Sequence, residues 1–126
     1  MKPLVCALLL AAGPAALAEP AGASRAADAT QEAKAHFRKG AEYYRQARYR
    51  EAIAEFEAAY KLRPHGVIFF NLAQCQERLG DIPAALQAYH EYLRAVPDAD
   101  DRNTVHAAMA NLEARLGAAG VQQLLV

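Results

Sequence analysis

Large apolar residues recur every three or four positions from Thr30 onward, and no segment alternates as a half-buried strand does. This pattern predicts an all-α protein. The five predicted helices cover about 30–47, 49–62, 66–79, 81–96 and 100–116. The stripe of the first helix is Ala33, Phe37, Gly40, Ala41 and Tyr44, and that of the second is Ile53, Phe56, Ala59 and Tyr60. The stripe of the third helix is Phe69, Leu72, Ala73 and Gln76, and that of the fifth is Val105, Ala108, Met109, Leu112 and Leu116.

Residues with special backbone chemistry mark the ends of these helices. Pro64 ends the second helix because it lacks an N–H donor and disfavours helix before it. The third helix stops at Gly80, and Asp81 caps the fourth, with Pro83 in its first turn. Gly117 is expected to stop the fifth helix in a left-handed turn, which leaves residues 118–126 as a C-terminal tail.

The first residues have the pattern of a secretory signal peptide. A basic start is followed by an apolar run over 4–17 and by small residues at Ala16 and Ala18. The run is shorter than the roughly 20 residues of a membrane span. We expect a signal peptide over 1–18, with cleavage after Ala18 or alternatively after Ala23, and a periplasmic or secreted protein. Residues 19–29 lack large apolar side chains and are expected to form a flexible leader.

The helical region contains an internal repeat. The equivalent pairs are Ala52 and Ala85, Phe56 and Tyr89, Ala59 and Tyr92, and Pro64 and Pro97. Each pair has the same offset, as in 85 − 52 = 33, and a period near 34 is typical of helix-turn-helix repeats. The sequence therefore predicts two helical hairpins, 33–65 and 66–98, followed by a helix over 100–117 that covers the open end.

The repeat resembles the tetratricopeptide repeat family. The matching positions are Gly40, Tyr43, Ala52, Phe56, Ala59 and Pro64 in the first unit, and Phe69, Leu72, Ala73, Gly80, Ala85, Tyr89 and Pro97 in the second. The departures are His36 and Lys39, where a large aromatic residue and leucine are usual, and Gln76 and Tyr92, where an aromatic residue and alanine are usual. The resemblance implies a right-handed array of two units with a C-terminal capping helix. The local sequence at Pro64-His65 and over 70–81 is also similar to that of exported repeat proteins of myxobacteria-like bacteria.

The resemblance further implies that the first helix of each unit lines a concave, partner-binding face. The positions it assigns to this groove are Lys34, Phe37, Ala41, Tyr44, Phe70, Asn71, Gln74 and Glu77, with Asn103 and His106 as additions from the fifth helix. Phe37 and Phe70 belong either to the groove or to the core stripe, whereas Asn71, Gln74 and Glu77 are expected to face solvent. Relatives that clamp a C-terminal carboxylate have lysine and asparagine where this chain has Phe37 and Ala41, so that clamp is not expected.

Charge argues against a polyanion-binding protein. The sequence has 14 basic and 14 acidic residues, and removal of Lys2 leaves 14 − 1 = 13 basic residues. Proteins that bind nucleic acid neutralise several phosphates with clustered Lys and Arg. We therefore expect no nucleic acid partner, and no membrane insertion after signal removal.

The residue inventory also argues against catalysis. Ser24, in the leader, is the only serine, and no two histidines have the i, i+4 spacing of metal ligands. Cys75 is the one cysteine left after signal removal, and we interpret it as a packed thiol. The sequence thus predicts a protein-binding module of the cell envelope with no catalytic, metal or cofactor site. The alternatives are a structural subunit of a self-assembling or hetero-oligomeric envelope complex, and a small enzyme or redox protein based on Cys75.

Overall fold

The computed structural model describes residues 20–124, which contain five α-helices and no strand. The helices are α1 (Ala21–Arg45), α2 (Tyr49–Leu62), α3 (Val67–Leu79), α4 (Ile82–Ala95) and α5 (Arg102–Leu124). Each helix packs chiefly on its neighbours in the chain, so that α1 with α2 and α3 with α4 form two hairpins. The predicted all-α fold of two hairpins followed by a C-terminal helix is confirmed. The predicted signal peptide lies outside the described residues.

The first helix of each hairpin ends in the same turn. Gly80 has a φ of 77°, and its neighbour Asp81 donates its N–H to the carbonyl of Gln76 over 3.0 Å. Ala47 has a φ of 57°, and the N–H of Arg48 reaches back to Tyr43 in the same way, over 2.9 Å. Both turns are Schellman motifs, in which a left-handed residue allows the chain to satisfy the last carbonyls of the helix. Only the turn after α3 has the glycine that this conformation favours.

The outer ends of the first and last helices differ from the prediction. Helix α1 begins at Ala21 instead of Thr30, so most of the predicted flexible leader is helical, although residues 21–28 are exposed. Helix α5 continues through Gly117 to Leu124, so the expected stop at Gly117 is wrong. The α1 extension is rich in alanine, the best helix former, and the α5 extension contains Ala118 and Ala119, while each glycine costs only about 1 kcal/mol in a helix interior.

Two apolar clusters form the core. The first joins α1 and α2 to α3, and its buried members are Ala52, Phe56, Ala59, Ile68 and Cys75. The second joins α3, α4 and α5, and its buried members are Ala73, Ala85, Tyr89, Tyr92, Leu93, Val105, Met109 and Leu112. Three residues of the predicted fifth stripe are therefore buried, whereas Leu116 is 43% exposed, which corrects that prediction.

A glycine allows α1 and α2 to approach closely, as the repeat pattern predicts. A Cβ at Gly40 would lie 2.8 Å from the Phe56 ring, and Phe56 itself is only 1% exposed. Contacts below about 3 Å are not tolerated between carbon atoms in a packed core. Gly40 therefore sets the separation of the first hairpin.

The two residues that depart from the family pattern in the first unit share a partner on α2. His36 Nδ1 lies 2.5 Å from Glu55 Oε2, and Lys39 Nζ lies 3.1 Å from Glu55 Oε1. The hydrogen bond to His36 lowers the pKa of Glu55, with a smaller contribution from Lys39 against the opposing effect of desolvation. A hydrogen bond from His36 and an ion pair from Lys39 thus converge on Glu55 on this side of the first hairpin.

Candidate partner-binding groove

An open groove lies where the middle of α1, the end of α2 and the start of α3 meet. Its volume is about 410 Å³, and its lining is mostly apolar, with Phe37, Val67 and Ile68 as the largest apolar side chains. The Phe37 ring also packs on the Phe56 ring, with the centroids 5.4 Å apart. Phe37 is therefore at once a core residue and part of the groove wall.

The rim of this groove is basic. Lys34 from α1, Arg63 at the end of α2 and His65 in the following turn line it, and no carboxylate does. Among residues 20–124, neither Lys34 nor Arg63 has an ion-pair partner within 4.0 Å. The His65 ring is held over the start of α3, where its Nδ1 lies 3.4 Å from the N–H of Val67. A negatively charged group in the groove would thus meet unpaired basic side chains.

The remaining predicted residues of α1 lie farther along the same helix. Ala41 and Tyr44 are half-buried, and Tyr44 packs edge-on against Tyr49 with the ring centroids 5.4 Å apart. The Tyr44 hydroxyl lies beside the Arg78 guanidinium of α3 and raises the pKa of Arg78. The first and third helices therefore approach each other at this end, away from the groove.

The predicted residues of α3 have different environments. Phe70 lies against Tyr92 and Tyr89, with ring centroids 5.3 and 6.0 Å away, which makes it a core residue. Glu77 is half-buried and accepts a 3.0 Å hydrogen bond from Tyr89, so the expectation that it faces solvent is wrong.

Asn71 and Gln74 are only partly exposed, and the Asn71 amide donates to the carbonyl of Val67 at 3.1 Å. These two side chains remain within reach of a partner on the α3 surface. On α5, Asn103 and His106 are exposed.

Seven residues that the sequence prediction did not assign to this groove line it beside Lys34 and Phe37. Three are Thr30, Ala33 and Ala59, and the other four follow α2 in the chain. Those four are Arg63, His65, Val67 and Ile68, which belong to the connection between the two hairpins and the first turn of α3. The family resemblance names positions within the first helix of each unit, so it cannot identify residues of the connecting turn. A valine two residues after His65, at the start of α3, is the one local signal in the sequence.

A second groove has the opposite charge. It lies between α2 and α4 over α3, has a volume of about 290 Å³, and is lined by Glu57 and Glu91 with no basic residue. It provides an internal comparison for any experiment on the basic groove.

Stacked antiparallel helix pairs, with a small residue at the crossing and an aromatic residue between helices, define a helical-hairpin repeat protein. The family model described as tetratricopeptide repeat matches residues 37–100, just over half of the chain. The chain therefore belongs to the tetratricopeptide repeat family, whose repeats generally bind other proteins and are not catalytic. No curated protein matches the sequence. Within residues 20–124, none of the helices has the length and apolar character needed to cross a membrane.

Proposed function

We propose that this protein is a non-catalytic adaptor of the bacterial cell envelope that binds a segment of another protein on the face formed by α1 and α3. The observation that carries this proposal is the apolar groove beside α1 and α3, which leaves Val67 39% exposed and Phe37 partly exposed. Exposed apolar patches with a polar rim are typical of protein interaction sites. The family's general role in binding proteins supports the same interpretation.

Export is the part of this proposal that rests on the sequence alone. The basic start, the apolar run and the small residues at Ala16 and Ala18 predict a mature N-terminus at Glu19. N-terminal sequencing of the protein from its native cells tests this prediction. A cytoplasmic form that retains Met1 would refute the envelope location.

The binding face is tested with the double variant Asn71→Ala and Gln74→Ala. A partner is first captured from envelope extract and identified by mass spectrometry, and its affinity is then measured by calorimetry. Loss of one neutral hydrogen bond costs about 0.5–1.5 kcal/mol. Because Asn71 must first release the carbonyl of Val67, we expect the lower part of this range, about a fivefold loss of affinity for the pair.

The matched control is a double variant on the other groove, Glu57→Ala with Gln87→Ala. Both residues line the groove between α2 and α4, and both are exposed. Glu55 is unsuitable as a control because it holds His36 and Lys39. If the control weakens binding and the α3 double variant does not, the partner occupies the other face.

A structural role in a self-assembling complex is the second candidate. It is favoured by the end of α5, where residues 113–120 are exposed and Leu116 is 43% exposed. Light scattering over a range of concentrations separates the two functions, because an adaptor keeps a constant mass. A mass that rises with concentration and becomes constant in Leu116→Gln would support self-assembly.

A further inference from the structure

The basic groove contains one of the few large apolar side chains that the fold leaves open. Within the part of the chain whose side chains are described, the exposed large apolar residues are Val67, Leu79 and Leu116. Only Val67 lies in an apolar concavity, where Phe37 and Ile68 continue the same surface. A concave apolar surface gains the most from a convex apolar side chain, because both then leave water.

The basic side chains on the groove rim have no acidic partner, whereas Lys39, Arg45 and Arg48 on the same hairpin each have one within residues 20–124. Lys39 is paired with Glu55 at 3.1 Å, and Arg48 is paired with Glu51 at the same distance. The rim residues Lys34 and Arg63 have no such partner within residues 20–124. Because the whole chain has equal numbers of basic and acidic residues, this rim is a local feature and not the effect of a basic surface.

Two grooves of opposite sign on one small domain imply that charge selects the occupant. The groove between α2 and α4 has Glu57 and Glu91 on its rim and would repel an acidic segment. The groove at α1 and α3 would attract that segment through Lys34 and Arg63 and repel a basic one. Phosphate alone does not fit the groove well, because its floor is apolar.

We infer that the groove formed by Lys34, Phe37, Arg63, His65, Val67 and Ile68 anchors an acidic partner segment by one large apolar side chain. That side chain, a leucine, isoleucine, methionine or phenylalanine, lies against Phe37 and Val67. Carboxylates on either side of it pair with Lys34 and Arg63. This inference rests on the proposed function, since it names the chemistry of the segment that the adaptor binds.

The test begins with a random peptide library displayed on phage and selected on the immobilised protein. The expected result is enrichment of peptides in which a large apolar residue has Asp or Glu close by on at least one side. The best peptide is synthesised with a fluorescent label, and its affinity is measured by anisotropy. Its affinity should fall as salt is raised, since exposed charge pairs are screened.

Variants of the groove then locate the peptide. Lys34→Glu with Arg63→Glu should weaken binding roughly tenfold, because each exposed ion pair accounts for a factor of about two to five. Val67→Asp should weaken it by a similar factor, because it removes the apolar contact and repels the carboxylates. An aspartate in the first turn of a helix is favourable for the helix itself, so the fold should persist.

The matched control is Leu79→Lys, at the other end of the same helix. Leu79 is 38% exposed against 39% for Val67, and a lysine in the last turn is again compatible with the helix. This variant should bind the peptide with unchanged affinity. Equal losses from Val67→Asp and Leu79→Lys would overturn the inference, because the effect would not be specific to the groove.

The remaining outcomes separate the anchor from the adaptor function. In one outcome, a peptide binds with an affinity that the groove variants leave unchanged and that Asn71→Ala with Gln74→Ala lowers. That result would overturn the inferred anchor site but keep the proposed adaptor function. Peptides weakened only by Glu57→Lys, or no enriched peptide at all, would overturn both. A mass that rises with concentration and is restored to one copy by Val67→Asp would make the occupant a second copy, which also overturns an acidic partner.

Discussion

The two left-handed turns make opposite predictions for glycine and alanine. Ala47 and Gly80 are equivalent positions, since 80 − 47 = 33 is the repeat offset, and both end the first helix of a hairpin with a positive φ. Replacing Ala47 by glycine removes the contact between its Cβ and the backbone that disfavours this conformation. Replacing Gly80 by alanine introduces the same contact. We expect the first change to stabilise the protein and the second to destabilise it.

The structure sets the size of both effects. Apart from the local backbone, no atom lies within 4 Å of a Cβ built on Gly80, and Ala47 is exposed, so neither change alters packing against the rest of the protein. The left-handed conformation costs a non-glycine residue about 1–2 kcal/mol. Glycine opposes this gain by about 0.4–1 kcal/mol, because it raises the conformational entropy of the unfolded chain. The net change in the free energy of unfolding is therefore about 0.5–1 kcal/mol, positive for Ala47→Gly and negative for Gly80→Ala.

Urea unfolding followed by circular dichroism measures both variants against the parent protein. The midpoint should move up for Ala47→Gly and down for Gly80→Ala, with the slope unchanged because the surface exposed on unfolding is the same. The double variant should lie close to the parent, since the two turns do not touch the same residues. If Ala47→Gly lowers the midpoint, the turn after α1 is not left-handed in solution and the reasoning fails.

Three further predictions concern charge, capping and the buried thiol. The pKa of Glu55 lies below its ordinary value of 4.5, so Glu55→Gln should lower the free energy of unfolding at neutral pH. This difference between the parent and the variant should vanish as the pH falls through the folded-state pKa of Glu55. A difference in urea midpoint that stays constant down to strongly acidic pH would contradict this prediction. Deletion of residues 99–126 removes Val105, Met109 and Leu112, each worth about 1.5–3 kcal/mol, and should lower the melting temperature sharply; an unchanged temperature would show that α5 is not a cap. Burial raises the pKa of Cys75 to about 11, so a thiol reagent at mildly alkaline pH should label it only after denaturation, and rapid labelling of the folded protein would refute its burial.

The helix bounds were predictable where a residue with special backbone chemistry lies at the boundary. Pro64 and Gly80 ended α2 and α3 within a residue or two of the predicted positions, and Asp81 caps α4 through the N–H of Ala84 at 3.2 Å. Such signals act over one turn and do not depend on the rest of the fold. The end of α5 was missed because Gly117 is followed by alanines, and nothing in that segment forces the chain to leave the helix.

The groove was predictable only in part, because one of its walls is formed by the connection between α2 and α3. Lys34 and Phe37 follow from their places on α1, and both line the groove. Arg63 and His65 reach it because the connection after α2 passes beside the middle of α1, which helical periodicity does not specify. Glu77 shows the reverse error, since the helical wheel places it outward while Tyr89 on α4 covers it.

Helix α3 has one face in each of the two core clusters, and this has a consequence for the way the protein opens. Ile68 and Cys75 belong to the first cluster and Ala73 to the second, so the halves are coupled through a single helix. A chain of units with nearest-neighbour coupling can lose an end unit while the rest stays folded. The groove is lined by residues of both the first hairpin and α3, so a bound segment would contact both and oppose their separation. Amide protons of α1 and α2 would then exchange more slowly in the complex, while those at the α4–α5 end would keep their rates.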